Sequence, residues 1–362
     1  MRIIIAGGGT GGHLFPALAV AGELKRRIGE THVLFVTGRR RMETEILKRS
    51  GYPQVSVSAE GLKGMGWGRG IVSLVKLPLG LLQSLRILDQ FGPDLVLGVG
   101  GYSSGPVCLA AWLKGIPTAI HEQNSFPGLT NRLLCRIVDA VFISFEESRS
   151  HFPGGRLILT GNPVRKELLE AGPAGEDHPF TILVTGGSQG ARAVNRAFVE
   201  ALEILKRMGR EPDVIHQTGE LDYESISKTY QERGLKGEVH AFIRDMARAY
   251  SRADIVVGRA GATTVSELSA LGKPSILIPY PHAANDHQVT NARVLTRAGG
   301  AEMILERDLN GESLARTLLR YMEDPSALKA MGEKAAAVGS RDAAVAIADH
   351  LLEMIGRDPA KT

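Results

Sequence analysis

Short apolar runs alternate along this chain with longer segments whose apolar positions recur every three or four residues. The runs fall at 2–6, 32–37, 94–98, 117–121, 140–144, 157–160, 180–185, 213–217, 238–242, 255–258, 275–278 and 301–304. Most are apolar throughout rather than alternating, as strands covered on both faces are. The segments between them carry a helical period, so the pattern predicts an α/β protein built on parallel sheets with helices on both sides. The rhythm breaks at 161–179, a stretch rich in Gly, Pro and charge. This predicts a first domain over 1–162 and a second over 163–340. A last helical segment lies in 341–362, at about 341–356, and is expected to pack back on the first domain.

Twice a strand runs into clustered glycines and then a helix, as RIIIAGGGTGGHLFPALAVAGEL at 2–24 and FTILVTGGSQGARAVNRAFVEAL at 180–202. A third cluster, Gly98-Val99-Gly100-Gly101-Tyr102-Ser103-Ser104-Gly105-Pro106, ends the strand at 94–98. Glycines let backbone N–H groups approach an anion, and the helix dipole favours negative charge there. Each cluster taken alone is equally what a tight strand-to-helix turn needs, but three together suit a diphosphate. No Lys-Ser/Thr follows the first loop, against a Walker loop. The second strand ends FVTGRRRM with Glu43 displaced from its tip, against a standard dinucleotide site, although arginines there leave an NADP site open. His13 sits at a helix N-terminus, where the dipole disfavours imidazolium; it is either a proton acceptor or part of a cap or turn.

Composition narrows this only slightly. The 362 residues are 43% hydrophobic and 23% charged with a net charge of +4, too little to argue for nucleic acid. Residues 1–90 hold 13 basic and 6 acidic side chains, an excess that suits a polyphosphate, an anionic membrane surface or a solvated basic face. Cys108 and Cys135 lack metal-ligand spacing and read as buried thiols of a reducing compartment. No secretory leader is expected, because Met1-Arg2 passes directly into a strand.

In the second half, Thr264 and Glu267 have capping-box spacing; the carboxylate serves either that cap or the hydroxyls of a ribose. Asp286, His287, Gln288 and Asn291 crowd a helix start, as sugar-reading groups or as a cap with exposed polar neighbours. No Asp-x-Asp pair or His/Cys cluster occurs, which disfavours a metal clamp and leaves helix dipoles, backbone amides and Arg165 to hold a diphosphate.

Six ordered motifs carry a resemblance: GGGTGGHLFPALAVA, HEQN at 121–124, GNPVR at 161–165, GGSQGA at 186–191, GATTVSEL at 261–268 and PHAANDHQVTNA at 281–292. They closely resemble the bacterial MurG family of UDP-N-acetylglucosamine:N-acetylmuramyl-(pentapeptide) pyrophosphoryl-undecaprenol N-acetylglucosamine transferases. The resemblance implies a GT-B fold, two Rossmann-like domains with parallel sheets facing across a deep cleft. It implies inverting, metal-independent transfer of GlcNAc from UDP-GlcNAc to the C4 hydroxyl of MurNAc in undecaprenyl-pyrophosphate-linked lipid I, yielding lipid II and UDP, with no cofactor. Carried onto this chain, it places the donor at Arg165, Ser188, Gln189, Ile243 (through its backbone at uracil), Thr264, Glu267, Asp286 and Gln288. The acceptor falls to Thr10, Gly11, Gly12, His13, Gly101, Tyr102, Ser103 and Asn124. His13, Glu122 and Asn124 are the implied catalytic group, with His13 or Glu122 taking the proton and His121 lining the same region. Other GT-B enzymes, such as a soluble-acceptor glycosyltransferase or a UDP-GlcNAc 2-epimerase, and a non-catalytic nucleotide-sugar-binding protein are the competing readings.

The resemblance also bears on GWGRGIVSLVKLPLGLLQSLRIL at 66–88, which reads either as a buried helix or as an apolar patch. Trp67, Leu77, Leu79 and Leu82, rimmed by Arg69, Lys76 and Arg86, would rest on anionic phospholipid of the inner leaflet. The implied location is peripheral, on the cytoplasmic face of the bacterial cell membrane. Partners would include cell-wall synthesis or division proteins and no nucleic acid.

Overall fold

The computed structural model describes residues 1–9, 11–38, 41–58, 67–172, 175, 178–187 and 189–357, with the side chains of 41–42 and 67–77 left out. The chain divides into two compact units, Met1–Arg165 with Arg341–Thr362, and Lys166–Ser340.

The first unit carries strands β1 (Arg2–Ala6), β2 (His32–Thr37), β3 (Gln54–Ser56), β4 (Leu95–Gly98), β5 (Thr118–Glu122), β6 (Ala140–Ile143) and β7 (Leu157–Leu159). They form one parallel sheet in the order β3-β2-β1-β4-β5-β6-β7. Its helices are α1 (Gly11–Arg27), α2 (Arg41–Arg49), α3 (Trp67–Phe91), α4 (Ser104–Leu113) and α5 (Leu129–Leu134). The second unit carries α6 (Lys166–Glu170), β8 (Thr181–Thr185), α7 (Arg192–Arg207), β9 (Asp213–Gln217), α8 (Tyr223–Glu232), β10 (Glu238–His240), α9 (Met246–Arg252) and β11 (Ile255–Gly258). It continues through α10 (Ala262–Leu271), β12 (Ser275–Leu277), α11 (His287–Ala298), β13 (Glu302–Met303), α12 (Gly311–Glu323) and α13 (Pro325–Val338). Its parallel sheet runs β10-β9-β8-β11-β12-β13, and α14 (Ala343–Met354) returns the chain to the first unit.

Period-two geometry explains the all-apolar strands. In β1, Ile3 and Ile5 face a core shared with Leu14, Ala17 and Ala21 of α1 and with Ile347, Leu351 and Leu352 of α14. Ile4 and Ala6 face the opposite core, with Leu88 of α3 and Val107 and Ala111 of α4. In the second unit, Ile182 and Val184 of β8 and Ile255 and Val257 of β11 join Val194, Phe198 and Leu205 of α7 in one buried cluster.

Each expected strand is present. The edge strand β3 was not foreseen, because Gln54-Val55-Ser56 is short and largely exposed and has no apolar run to announce it. The helix after the first glycine loop takes in the last glycines of that motif. It begins at Gly11, which puts His13 in its first turn and Pro16 a turn further in.

Candidate active site

In both sheets the strand order reverses beside the first strand, between β1 and β4 and again between β8 and β11. Ligands of open α/β sheets bind outside the carboxyl ends of strands at such switch points. The chain leaves those four strands at Gly7, Val99, Gly186 and Arg259, in the glycine-bearing motifs of the sequence.

In the first unit the two loops are laced together. Gly8 N–H donates to Gly100 O at 3.3 Å, and a Cβ on Gly101 (φ +79°) would lie 2.3 Å from Gly8 O, a contact only glycine allows. Glu43, which the sequence pattern sets aside as too far from the tip of β2, reaches this loop from the first turn of α2. It is buried and its Oε1 accepts the Gly9 N–H. His13 is half-buried on α1, with Nδ1 2.8 Å from Oε1 of Gln123, a residue the sequence reading passed over inside HEQN. Gln123 is itself buried, and its Nε2 lies 3.0 Å from Val99 O and 3.1 Å from Nδ1 of His121. His121 Nε2 meets Ser144 Oγ at 3.1 Å, and burial pushes its pKa down to about 3.

Glu122, the last residue of β5, is buried and engaged by the loop and helix that follow it. Oε1 accepts from Asn124 N–H at 3.0 Å and Asn124 Nδ2 at 3.2 Å, while Oε2 accepts from Gly128 N–H at 3.0 Å and Asn131 Nδ2 at 2.9 Å. Asn124 is thereby pinned through its backbone and side chain. Ser103 is buried, whereas Tyr102 is half exposed; Gly11, Gly12 and Gly101 are half-buried. The Arg165 guanidinium stacks 4.5 Å from the ring centroid of Phe15 on α1, a cation–π contact that holds it against the helix carrying His13. Thr10 lies outside the described residues.

In the second unit, a Cβ on Gly190 (φ +77°) would lie 2.0 Å from Thr218 O, so the glycine loop is pressed against the end of β9. Gln217 ties these segments: its Nε2 donates to Gly187 O at 2.9 Å, and its Oε1 accepts the Ile243 N–H at 2.8 Å. Behind the loop, Asn195 of α7 donates to Thr218 O and to Asp222 and meets Nε2 of His216 at 3.1 Å, while Nδ1 of His216 meets the Tyr230 hydroxyl at 3.0 Å. Gln189 is exposed at the loop tip, and Ser188 lies outside the described residues.

The capping-box alternative for Thr264 and Glu267 does not hold. The N-cap of α10 is Gly261, so Glu267 lies mid-helix, buried, with Oε2 accepting the Tyr250 hydroxyl at 3.0 Å. Thr264 occupies the first turn, half-buried. Asp286 is exposed and makes no side-chain cap bond to α11; it and Asn285 adopt left-handed φ of 51° and 54°, a strained pair at this loop. Gln288 Oε1 accepts the Tyr280 N–H at 3.0 Å. Arg259, not singled out by the sequence, donates to Ile278 O and Pro279 O at 3.2 Å and pairs with Glu306 at 2.5 Å, fastening the β11 and β12 loops together.

The described part of the 66–88 segment lies in the helix α3, which splits the two readings of its sequence. Gly80, Ser84 and Leu88 face inward, and α3 packs along α4, while Leu79 and Leu82 are 46% and 57% exposed. Trp112 and Leu113, in the last turn of α4, are exposed as well and were not foreseen. The side chains of Trp67 and Leu77 lie outside the described residues. Among the described residues no helix is long and apolar enough to cross a membrane.

Two doubly wound parallel sheets with loops of this kind at both switch points define a protein of the GT-B class. Glycosyltransferase family 28 N-terminal and C-terminal domains match residues 3–143 and 181–347. A UDP-N-acetylglucosamine--N-acetylmuramyl-(pentapeptide) pyrophosphoryl-undecaprenol N-acetylglucosamine transferase of Syntrophus aciditrophicus is 49% identical over 98% of this chain and 99% of its own length. The Myxococcus xanthus protein of the same name is 48% identical over 98% of this chain and 93% of its own. The crystal structure of Acinetobacter baumannii MurG superposes with a TM-score of 0.78 at 32% identity, over 97% of this chain and 99% of that one. A UDP-N-acetylglucosamine 2-epimerase shares the fold (TM-score 0.69 at 15% identity, over 98% of this chain and 97% of that one). The chain belongs to the MurG family.

Proposed function

We propose that this protein moves GlcNAc from UDP-GlcNAc to the C4 hydroxyl of MurNAc in undecaprenyl-pyrophosphoryl-MurNAc-pentapeptide, giving lipid II and UDP. The observation that carries this reading is near-full-length kinship at 49% identity to a transferase of that name. The acceptor oxygen attacks C1 of the donor sugar from the face opposite the diphosphate, the C1–O bond breaks, and UDP leaves with the electron pair. The hydroxyl proton goes to His13. Glu122 is assigned a scaffold role instead, because four donors already occupy its carboxylate.

The first pair of loops serves the lipid-borne diphosphate through Thr10, Gly11, Gly12, Gly101, Tyr102 and Ser103, with Asn124 beside the reacting hydroxyl. The second serves the donor. Ser188, Gln189 and the N-terminus of α7 are assigned to its diphosphate, as is Arg165; Thr264 and Glu267 are assigned to the ribose, and Asp286 and Gln288 to the GlcNAc hydroxyls. Since the Ile243 N–H is taken by Gln217, its carbonyl is the group assigned to uracil. Helix-end amides and a guanidinium stabilise the departing diphosphate without a divalent ion. Leu79, Leu82 and Arg86 are assigned to an anionic inner-leaflet surface, which makes the protein peripheral on the cytoplasmic side, among cell-wall synthesis and division proteins.

The test is incubation of the purified chain with labelled UDP-GlcNAc and a lipid I analogue in EDTA. A labelled disaccharide lipid with stoichiometric UDP is expected. No product, strict dependence on added metal, or conversion of UDP-GlcNAc without acceptor would overturn the assignment. For the membrane surface, Leu79→Ser/Leu82→Ser should abolish flotation with anionic liposomes while the protein stays folded; unchanged flotation of the folded variant refutes it.

A further inference from the structure

The hydrogen-bond chain behind His13 is anchored by a group that can only accept, and this sets the proton on His13. Val99 O can only accept, so the Gln123 atom 3.0 Å from it is the amide nitrogen. The amide oxygen therefore faces His13, and with 2.8 Å between them Nδ1 of His13 must be the donor. The second amide hydrogen of Gln123 faces Nδ1 of His121 at 3.1 Å, with His121 O farther at 3.4 Å, so the nearer nitrogen accepts. Nε2–H of His121 then donates to Ser144 Oγ at 3.1 Å, and the Ser144 hydroxyl donates to Glu122 O at 2.9 Å. Gln123 and His121 are each 1% exposed, so these bonds are shielded from bulk solvent. Gly100 completes the seat: a Cβ there would stand 3.1 Å from Cε1 of His13 and 3.6 Å from Oε1 of Gln123.

We infer that Gln123 is a positioning residue that locks His13 as the Nδ1–H tautomer and so leaves the lone pair on Nε2, the nitrogen that takes the acceptor hydroxyl proton. In that step the O–H bond breaks, an Nε2–H bond forms, and the imidazolium keeps its Nδ1–H on the Gln123 oxygen. The inference rests on the reading of His13 as the base. A neutral imidazole in water prefers its proton on Nε2, the wrong nitrogen for this task, so the lock supplies what the free side chain lacks. Where a histidine base loses the group that sets its tautomer, kcat falls by as much as about 10⁴.

The test uses the full chain labelled with ¹⁵N-histidine, and long-range ¹H–¹⁵N correlation spectra in which His13 is identified by its loss in His13→Gln. The wild-type ring is expected to carry hydrogen on Nδ1 and none on Nε2; an Nε2–H ring overturns the inference without any further variant. In Gln123→Met the ring is expected to shift toward Nε2–H, with kcat down roughly 10–100-fold and KM for UDP-GlcNAc within about twofold. A Gln123→Met protein that keeps the Nδ1–H signal, or keeps kcat within about twofold while its tautomer changes, overturns it too. Wild-type kcat in His13→Gln would instead overturn the base assignment and with it the catalytic consequence, leaving the tautomer assignment to be judged by the wild-type spectrum.

Discussion

At Gly100 the backbone takes a φ of +86° directly against the His13 ring. Alanine there is strained by roughly 1–2 kcal/mol and drives its methyl into the imidazole, so Gly100→Ala should lower kcat at least about tenfold. KM for UDP-GlcNAc should stay the same, because the change lies on the loops proposed to serve the acceptor; steady-state kinetics with each substrate varied separates the two. Glu43 makes a second case. Its buried Oε1 holds the Gly9 N–H, so Glu43→Ala leaves a void and removes an acceptor, a loss of about 1–3 kcal/mol. The expected result is a lower Tm and a raised KM for the acceptor. Glu122→Gln is harsher than its size suggests. Both carboxylate oxygens accept from two N–H donors, so the new amide NH₂ faces donors whichever way it turns. A cost of about 2–4 kcal/mol in thermal or denaturant unfolding is expected. If Glu122 were instead the base, the variant would lose activity with little change in stability.

At the scale of elements, α14 is the part of the C-terminal tail that the first unit depends on. Ile347, Ala348, Leu351 and Leu352 are fully buried in the core that α1 and β1 share. Leu351→Ala should cost about 2–5 kcal/mol and lower the unfolding temperature of that unit, as seen by calorimetry. The helices and strands were legible because a parallel sheet needs unbroken apolar runs, and such runs stand out; β3 lacks one and was missed. The glycine loops were legible for a related reason, since φ > 0 and close backbone approach demand glycine. What linear sequence could not reveal is which side chains converge from separate strands. Glu43 reaches the first loop from α2, Gln123 reaches His13 from the end of β5, and Gln217 links Gly187 to Ile243. None of these carries a local signal, because a glutamine or glutamate after a strand is ordinary until its partner is known. Conversely, Thr264 and Glu267 carried a clear local signal for a cap that the earlier start of α10 cancels.

At the scale of the whole molecule, each unit contains one fully buried histidine, His121 in the first and His216 in the second. Burial pushes the pKa of both down to about 3. An unfolded histidine titrates near about 6.5, so between pH 6.5 and about 3 the unfolded chain binds a proton at each position that the folded chain does not. Stability therefore falls as the pH drops through that window, by up to about 1.4 kcal/mol per pH unit for each histidine, or about 2 kcal/mol each at pH 5. The carboxylates with lowered pKa, Glu23 and Glu238 among them, are held there chiefly by hydrogen bonds to arginine. Their contribution begins to be lost only as the pH falls below the ordinary carboxylate value, so the interval from pH 6.5 to 5 isolates the histidines. Calorimetry across that interval should show the transitions of both units moving to lower temperature together. His216→Gln should flatten the dependence in the second unit alone, starting from a lower Tm at neutral pH because it loses its bonds to Asn195 and Tyr230. A wild-type profile that is level from pH 6.5 to 5 would mean that these two imidazoles are protonated in the fold. The neutral Nδ1 of His121 that accepts from Gln123 would then be lost with them.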